Sequence, residues 1–284
     1  MSLPDLKRKK LLARLYRRYN RRSYVSPDPL ECLYRFDEVK DREVAALIAA
    51  CLAYGRVARI VKSVSAVLNV MGPSPHDFIC SGTPARFEKE FAGFRHRFAD
   101  DVHLAALLAG IQQVLLTYGS LNACFVEGLR KKDPTVIPAL SVFVDRLNAD
   151  AGGIGHLLAD PRKGSACKRL NLFLRWMVRK DSVDPGGWTG ISRAKLVVPL
   201  DTHMHAIGLA LGLTRRQQAD CVTAIEMTQG FACFSPRDPV KYDFALTRFG
   251  IRQEMKVDDL IRMADRAQTG KAGHGSVRIG TTLM

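Results

Sequence analysis

The sequence predicts an all-α protein, and three observations carry that prediction. Apolar residues recur at spacings of three and four through almost every segment, which is the period of one helix face. Alternation of period two is confined to Lys195–Leu200, so little is left from which to build a sheet. Hydrophobic residues make up 47% of the 284, enough to fill one large core or two small ones and too many for a disordered chain. No internal repeat is present.

The elements follow in order. Leu11, Leu15 and Tyr19, with Leu12 and Tyr16 beside them, form an apolar stripe on an N-terminal helix. Asp41–Leu68 is apolar on helical spacing, and Gly55 near its middle either divides it into two helices or permits close packing. Met71–Pro84 is rich in Gly, Pro and Ser and reads as a connection. Asp101–Leu116 is a strongly apolar helix, and Pro134–Leu147 another, opened by proline in its first turn. Gly152–Gly164 is turn-like. Ser165–Val178 returns to helix, with Leu170, Phe173, Leu174 and Met177 on one face. Asp181–Arg193 contains Asp184-Pro-Gly-Gly and reads as a loop. Asp201–Leu211, Arg215–Phe231 and Asp238–Phe249 complete the helices, the last entered by Asp-Pro and ended by Gly250. The stretch after Thr269 reads as a loose tail.

Charge narrows the partner. With 43 Lys+Arg against 28 Asp+Glu the chain carries a formal +15, which suits a polyanion because each phosphate neutralised releases a counterion. The excess concentrates in residues 7–22, a run without an acid that holds Lys7, Arg8, Lys9, Lys10, Arg14, Arg17, Arg18, Arg21 and Arg22. Three readings of this basic helix stand open: it lies along a nucleic-acid backbone, it is a solvated helix whose stripe docks on the domain, or it rides a membrane surface. No apolar run reaches the roughly 18–20 residues of a membrane span, and the basic start lacks the apolar stretch of a secretory signal, so neither membrane insertion nor export is expected. Cys32, Cys51, Cys80, Cys124, Cys167, Cys221 and Cys233 are scattered with no C-x-x-C pair. That pattern points to reduced cytoplasmic thiols, with no structural zinc or iron–sulfur signature.

Two segments carry residues suited to chemistry. Gly164-Ser-Ala-Cys-Lys168-Arg is a Gly-led turn entering a helix, where unpaired backbone N–H groups suit a phosphate. Lys168 falls in the first helical turn. A cation there opposes the helix dipole at a cost of roughly 0.3–1 kcal/mol, and the neutral amine is the form that attacks as a nucleophile. Taken alone, such a lysine is most often a surface charge. Downstream, Val198-Pro-Leu-Asp201-Thr-His203-Met-His205 puts a carboxylate just before a helix, where the plain reading is an N-cap. On a strand Asp201, His203 and His205 would share a face as metal ligands do; the apolar run that follows favours helix, which separates them, and no metal is expected.

Together these segments resemble the helix-hairpin-helix superfamily of base-excision DNA glycosylases. Pro161 and Gly164-Ser-Ala-Cys-Lys168 are similar to its Leu-Pro-Gly-x-Gly-x-Lys hairpin, and Val198-Pro-Leu-Asp201-Thr-His203 to its Val-Asp-x-His segment. Leu47-Ile-Ala-Ala-Cys-Leu-Ala-Tyr-Gly-Arg56 is similar to its early helix and the loop after it. The likeness runs over roughly residues 40–250 and is motif-grade only in 161–205. Ala166 stands for the second hairpin glycine and Leu170 for a small residue, and the Lys-to-Asp interval of 33 residues is longer than in the common branches. The archaeal 8-oxoguanine glycosylase branch is the nearest likeness. No cysteine cluster follows Gly250, so the iron–sulfur module of the endonuclease-III branch is missing. The Cys-Lys-Arg and Pro-Leu-Asp-Thr-His segments also look like those of an uncharacterised bacterial family.

The resemblance implies two helical lobes around a cleft: a lobe over 40–195 ending in the hairpin and its loop, and a second over 196–268 carrying the aspartate, flanked by the basic segment 1–39 and the tail 269–284. It implies a cofactor-independent glycosylase, with possible roles beyond base release as a lyase, acting as a monomer on double-stranded DNA that contains a damaged, oxidised purine in a cytoplasmic, nucleoid setting. Lys168 is then the Schiff-base nucleophile, and Asp201 the group that stabilises the oxocarbenium ion or assists deprotonation of the lysine. Tyr54 and Arg56 fill or brace the gap left by the extruded base, Gly164, Ser165, Arg169 and His203 contact DNA, and Trp188 lines the base pocket. Arg175, Arg179 and Lys180 either track phosphates or form the wet side of their helix, and Lys241 and Asp243 are either cleft residues or a capped ion pair. The competing reading is a non-catalytic nucleic-acid-binding protein that keeps the hairpin for phosphate contact; a third, a metal hydrolase, rests on His203.

Overall fold

The computed structural model describes residues 3–149, 153–252, 255–256, 258–260 and 262–263. The tail assigned to 269–284, the end of the 196–268 segment from residue 264, and Gly152 lie outside the described residues. The chain is built on helices, as the spacing predicts. Helix α1 (Leu3–Tyr19) is followed by two short 3-10 segments and then by α2 (Val39–Cys51) and α3 (Val57–Met71). Helix α2 sits at the centre, with every residue from Val44 to Leu52 fully buried. It is apolar all round rather than on one stripe, and such a helix is stable only when covered on every side. The long periodic run breaks at Gly55, which adopts φ +97°; Arg97 lies across it so closely that a Cβ there would meet the Arg97 Cδ at 2.7 Å.

Met71–Pro84 is not a plain connection. It contains α4 (Pro75–Cys80) and leads into α5 (Pro84–Glu90), capped by Ser74 and Thr83, whose hydroxyls accept from Asp77 N and Arg86 N. Ser-Pro and Thr-Pro, a cap followed by proline at the first helical position, were the available signal. A two-residue antiparallel hairpin, β1 (Arg95–His96) with β2 (Ala99–Asp100), follows, too short to show an alternation. Then come α6 (Asp101–Tyr118), α7 (Leu121–Glu127) and α8 (Ile137–Asn148), the last with Pro138 rather than Pro134 in its first turn. Helices α6 and α8 approach closely at Gly110, where a Cβ would lie 2.2 Å from the Leu147 carbonyl oxygen.

Two 3-10 turns, Gly155–Leu157 and Pro161–Lys163, lead to α9 (Lys168–Val178). The 181–193 stretch is irregular, and Lys195–Leu200 is no strand despite its alternation. It runs extended with no partner strand, both sides covered: Leu196, Val197, Val198 and Leu200 are all buried, and the Thr228 hydroxyl accepts from Val198 N. Helices α10 (Thr202–Ala210), α11 (Cys221–Ala232) and α12 (Asp243–Ile251) close the fold. One contiguous apolar core runs from Leu11 to Leu260, so the segments 1–39, 40–195 and 196–268 share it. Among the described residues no single helix is long and apolar enough to cross a membrane, and all seven cysteines are unpaired.

A buried ion cluster ties the late helices together. Arg175 and Arg179 on α9 follow neither reading proposed for them: both are 2% exposed, neither tracking phosphates nor facing water. Arg175 donates to Asp184 at 3.2 Å and to Asp243. Arg179 donates to Asp184, to Asp181 at 2.8 Å and to Asp238 at 3.0 Å. Burial pushes the Asp184 carboxyl up to about 6 against the pull of both guanidinium groups. The "loop" of 181–193 is thereby fastened from inside. Sequence periodicity places both arginines away from the apolar face of α9, but that side is covered by residues 181–184, Asp238 and α12 and holds no water-facing surface there.

Candidate active site

Lys168 is the first residue of α9. The turn before it closes on itself: Gly164 takes φ +78° and Cys167 φ +46°, and the Ser165 hydroxyl accepts from Cys167 N at 3.1 Å. The turn is also pinned to α11, because Ser165 bridges Asp220 and the Gly164 carbonyl accepts from Cys221 N. Asp201 caps α10, its Oδ1 accepting from Met204 N at 2.9 Å. Its other oxygen, Oδ2, lies 3.6 Å from the Lys168 Nζ. One oxygen of Asp201 thus serves as the helix cap, and the other faces the Lys168 amine. Amine and carboxylate are about one-third and one-quarter exposed, so they are reachable from outside.

Both face a cavity of about 480 Å³, within the usual range for small-molecule sites. Tyr54, Gly55 and Arg56 form one wall, and α12 supplies Asp243 and Arg248 to another. Asp243, which sequence reasoning left between cleft residue and ion pair, lines the cavity and pairs with Arg175: its Oδ2 accepts from the Arg175 guanidinium, while its Oδ1 is buried with no hydrogen-bond partner. Burial raises its pKa, with Arg175 opposing. Arg248 is held by Asp28 at 2.7 Å. Lys241 takes no part; its ammonium lies over the rings of Tyr16 and Tyr242.

The remaining candidates divide. Arg56 is exposed at the start of α3 and lines the cavity, and so does His203, which is exposed on α10 and packed against the backbone of Gly250. Tyr54 lines the cavity but is held, its hydroxyl donating to the His96 carbonyl at 2.8 Å and meeting His156 Nε2 at 3.1 Å. Arg169 is corrected: it is no free phosphate ligand, since its guanidinium donates to the carbonyls of Cys51 and His156 and stacks over Tyr54. It braces the wall of the cavity instead. Gly164 loses the donor expected of it, because its N–H bonds the Pro161 carbonyl. Trp188 is also corrected. It does not line the cavity but is 5% exposed, packed on Phe125 and Phe173, with its indole N–H donated to Glu43 at 2.7 Å; an aromatic ring in a mostly apolar chain finds more area in the core than at a rim. Helical geometry separates His203 from His205, whose Nε2 meets the Arg216 carbonyl.

Sequence reasoning missed the hairpin beside the cavity. Phe98, at its tip, is 73% exposed, with Arg97 over its ring and His156 6.4 Å away. Behind it His96 is fully buried, meeting Ser63 Oγ through Nδ1 and the Tyr54 carbonyl through Nε2. Burial lowers the His96 pKa below the ordinary 6.5. Between that lowered value and 6.5 the unfolded chain binds a proton that the folded chain does not, so the stabilisation is present above 6.5 and lost as pH falls through the window. The difference in melting midpoint between wild type and His96→Gln is therefore expected to shrink from pH 7.5 to pH 5.5; a difference constant with pH would refute the role of the neutral ring.

The family model described as "Protein of unknown function (DUF2400)" matches residues 28–252. No curated protein and no solved structure matches the chain.

Proposed function

The chain belongs to the DUF2400 family, whose matched stretch contains every residue that lines the cavity, and from that premise we propose that it is a DNA glycosylase with lyase capacity acting on an oxidised purine. The observation that carries the reading is the Lys168–Asp201 pair: two groups remote in sequence, each at the start of a helix, 3.6 Å apart and open to one cavity. A base inside a duplex is out of reach of any side chain, so the nucleotide is extruded into the cavity. The Lys168 amine attacks the sugar C1′. The bond from C1′ to the base breaks, and the base leaves with that electron pair and takes up a proton. The amine is freed for that attack by passing its ammonium proton to Asp201 Oδ2, the carboxylate oxygen beside it, and the proton then shed by the nitrogen bonded to C1′ goes to the leaving base. As the ring opens, Asp201 returns its proton to O4′ and a protonated imine forms between Lys168 and C1′; the same carboxylate then takes a C2′ proton, and that electron pair expels the 3′ phosphate and cleaves the strand.

Other features support the same reading. The unpartnered Asp243 Oδ1 is an acceptor for an N–H donor, which the N1–H and amino edge of a guanine-type base supplies. Phe98 is better placed than the tethered Tyr54 to fill the gap in the duplex, with Arg56 contacting phosphate. A second hollow flanked by Arg59, Lys62 and Arg95 offers a cationic track beside the hairpin. The two lobes around a cleft are then the α2–α9 body and the α10–α12 body, with the cavity where they meet.

The test is a panel of duplexes, each with one lesion (8-oxoguanine, hypoxanthine, uracil, thymine glycol), incubated with the protein and borohydride. A covalent protein–DNA adduct on the oxidised purine is the expected result. Salt-dependent binding with no base release and no adduct on any duplex would establish instead the non-catalytic binding protein.

A further inference from the structure

The basic N-terminal helix has no part in the cavity and lies before the stretch that the family model matches. The structure decides how it sits. Leu11, Leu12, Leu15 and Tyr19 are all at most 8% exposed, so the apolar stripe is spent on the core, against α12: Tyr19 meets Phe249 edge-on at 5.5 Å, and the Tyr16 hydroxyl donates to Asp181 at 3.0 Å. Nothing apolar is left along this part of the helix to enter a bilayer. The opposite face is open and cationic. Lys10, Arg14 and Arg17 recur at four- and three-residue spacing, so they form one line along the helix, which Arg21 continues just past its end; all four are exposed, with Lys9 and Arg18 exposed on either side. Like charges at these spacings destabilise an isolated helix by about 0.2–0.5 kcal/mol per pair. Docking alone explains the leucines and gives no reason for the line of cations.

We propose that this face is a second nucleic-acid contact, a track for the phosphate backbone of a duplex. It does not depend on the chemistry assigned to Lys168. At about 1.5 Å per residue the 17-residue helix is roughly 25 Å long, and with one phosphate per about 3.4 Å of each strand it runs alongside about seven base-pair steps. It packs directly on α12, whose other side lines the cavity, so α12 stands between the track and the cavity. Positive charge matched to a regular row of phosphates is read through the backbone and carries no sequence preference.

The experiment uses undamaged 25-base-pair DNA, the full chain and a quadruple variant with Lys10→Gln, Arg14→Gln, Arg17→Gln and Arg21→Gln, titrated at several salt concentrations. Each lost phosphate contact flattens the plot of log affinity against log salt by about 0.9. The variant is expected to bind at least about tenfold more weakly near 0.1 M salt, with a slope lower by about two to four, and to keep the wild-type melting midpoint because all four side chains are exposed. Affinity and slope equal to wild type would overturn the proposal. So would charge-dependent binding of the wild type to phosphatidylglycerol vesicles in place of DNA, the membrane outcome. Since no lesion is present, this result is independent of whether borohydride traps the protein; a chain that binds through α1 and never traps would leave the track standing and remove the glycosylase.

Discussion

Lys168→Gln is expected to remove every borohydride-trapped adduct and to lower base release by at least about 10³-fold, the order lost when a nucleophile is taken away. Glutamine is one atom shorter than lysine but remains polar, and its amide nitrogen has no basic lone pair with which to form an imine. Lys168 is at the helix start, about one-third exposed, and the ion pair it makes with Asp201 is wet on one side, so the fold has little to lose. Binding of lesion-bearing duplex should therefore persist. The control is Asp201→Asn, which keeps a capping oxygen for Met204 N but cannot accept the amine proton; it should slow base release while leaving a slow trap. Undiminished trapping by Lys168→Gln would mean that another amine reacts. Loss of binding by the same variant would mean that Lys168 acts as a phosphate contact, which is the behaviour of the idle binding protein.

Arg175→Met carries the largest expected effect on stability. Methionine replaces the bulk of the side chain, but Asp184 and Asp243 then lose the cation they share, in a place where both are essentially without solvent. Breaking a buried pair by removing one partner costs about 3–5 kcal/mol, because the remaining charge is stranded. For a chain of this size that lowers the melting midpoint by about 6–20 °C. A triple variant that also carries Asp184→Asn and Asp243→Asn should recover part of the loss, since no charge is stranded; were Arg175→Met alone within a degree of wild type, the cluster would hold nothing together.

The helices were legible in the sequence where they are long and amphipathic, as in α1, α3 and α8, or carry an unbroken apolar run, as α2 does from Val44 on. What escaped was set by tertiary surroundings. The 95–100 hairpin has two residues per strand and no room for a period, and the extended Lys195–Leu200 segment has the period without a neighbour to pair with. At the site, Lys168 and Asp201 were legible because a helix start fixes what a side chain there can do. Their approach to 3.6 Å was not, since it depends on how α9 and α10 dock. Arg169, Arg175 and Arg179 were misjudged for one reason: a guanidinium in a basic chain suggests phosphate, yet its five donors serve equally well to satisfy backbone carbonyls or buried carboxylates. Trp188 shows the same thing for an aromatic ring. Asp243 gave no sequence signal beyond its place before a helix, and its idle oxygen exists only in three dimensions.

The same short helix that begins with Lys168 carries Arg175 in its last turn and is capped by Arg179 just past its end, both joined to carboxylates before and within α12. The Lys168 amine is thus rooted beside a buried ion cluster, not on a flap. Under the proposed function, activity and fold should be lost on heating in a single event, with the two curves superimposed, and the work of adapting shape would fall to the DNA.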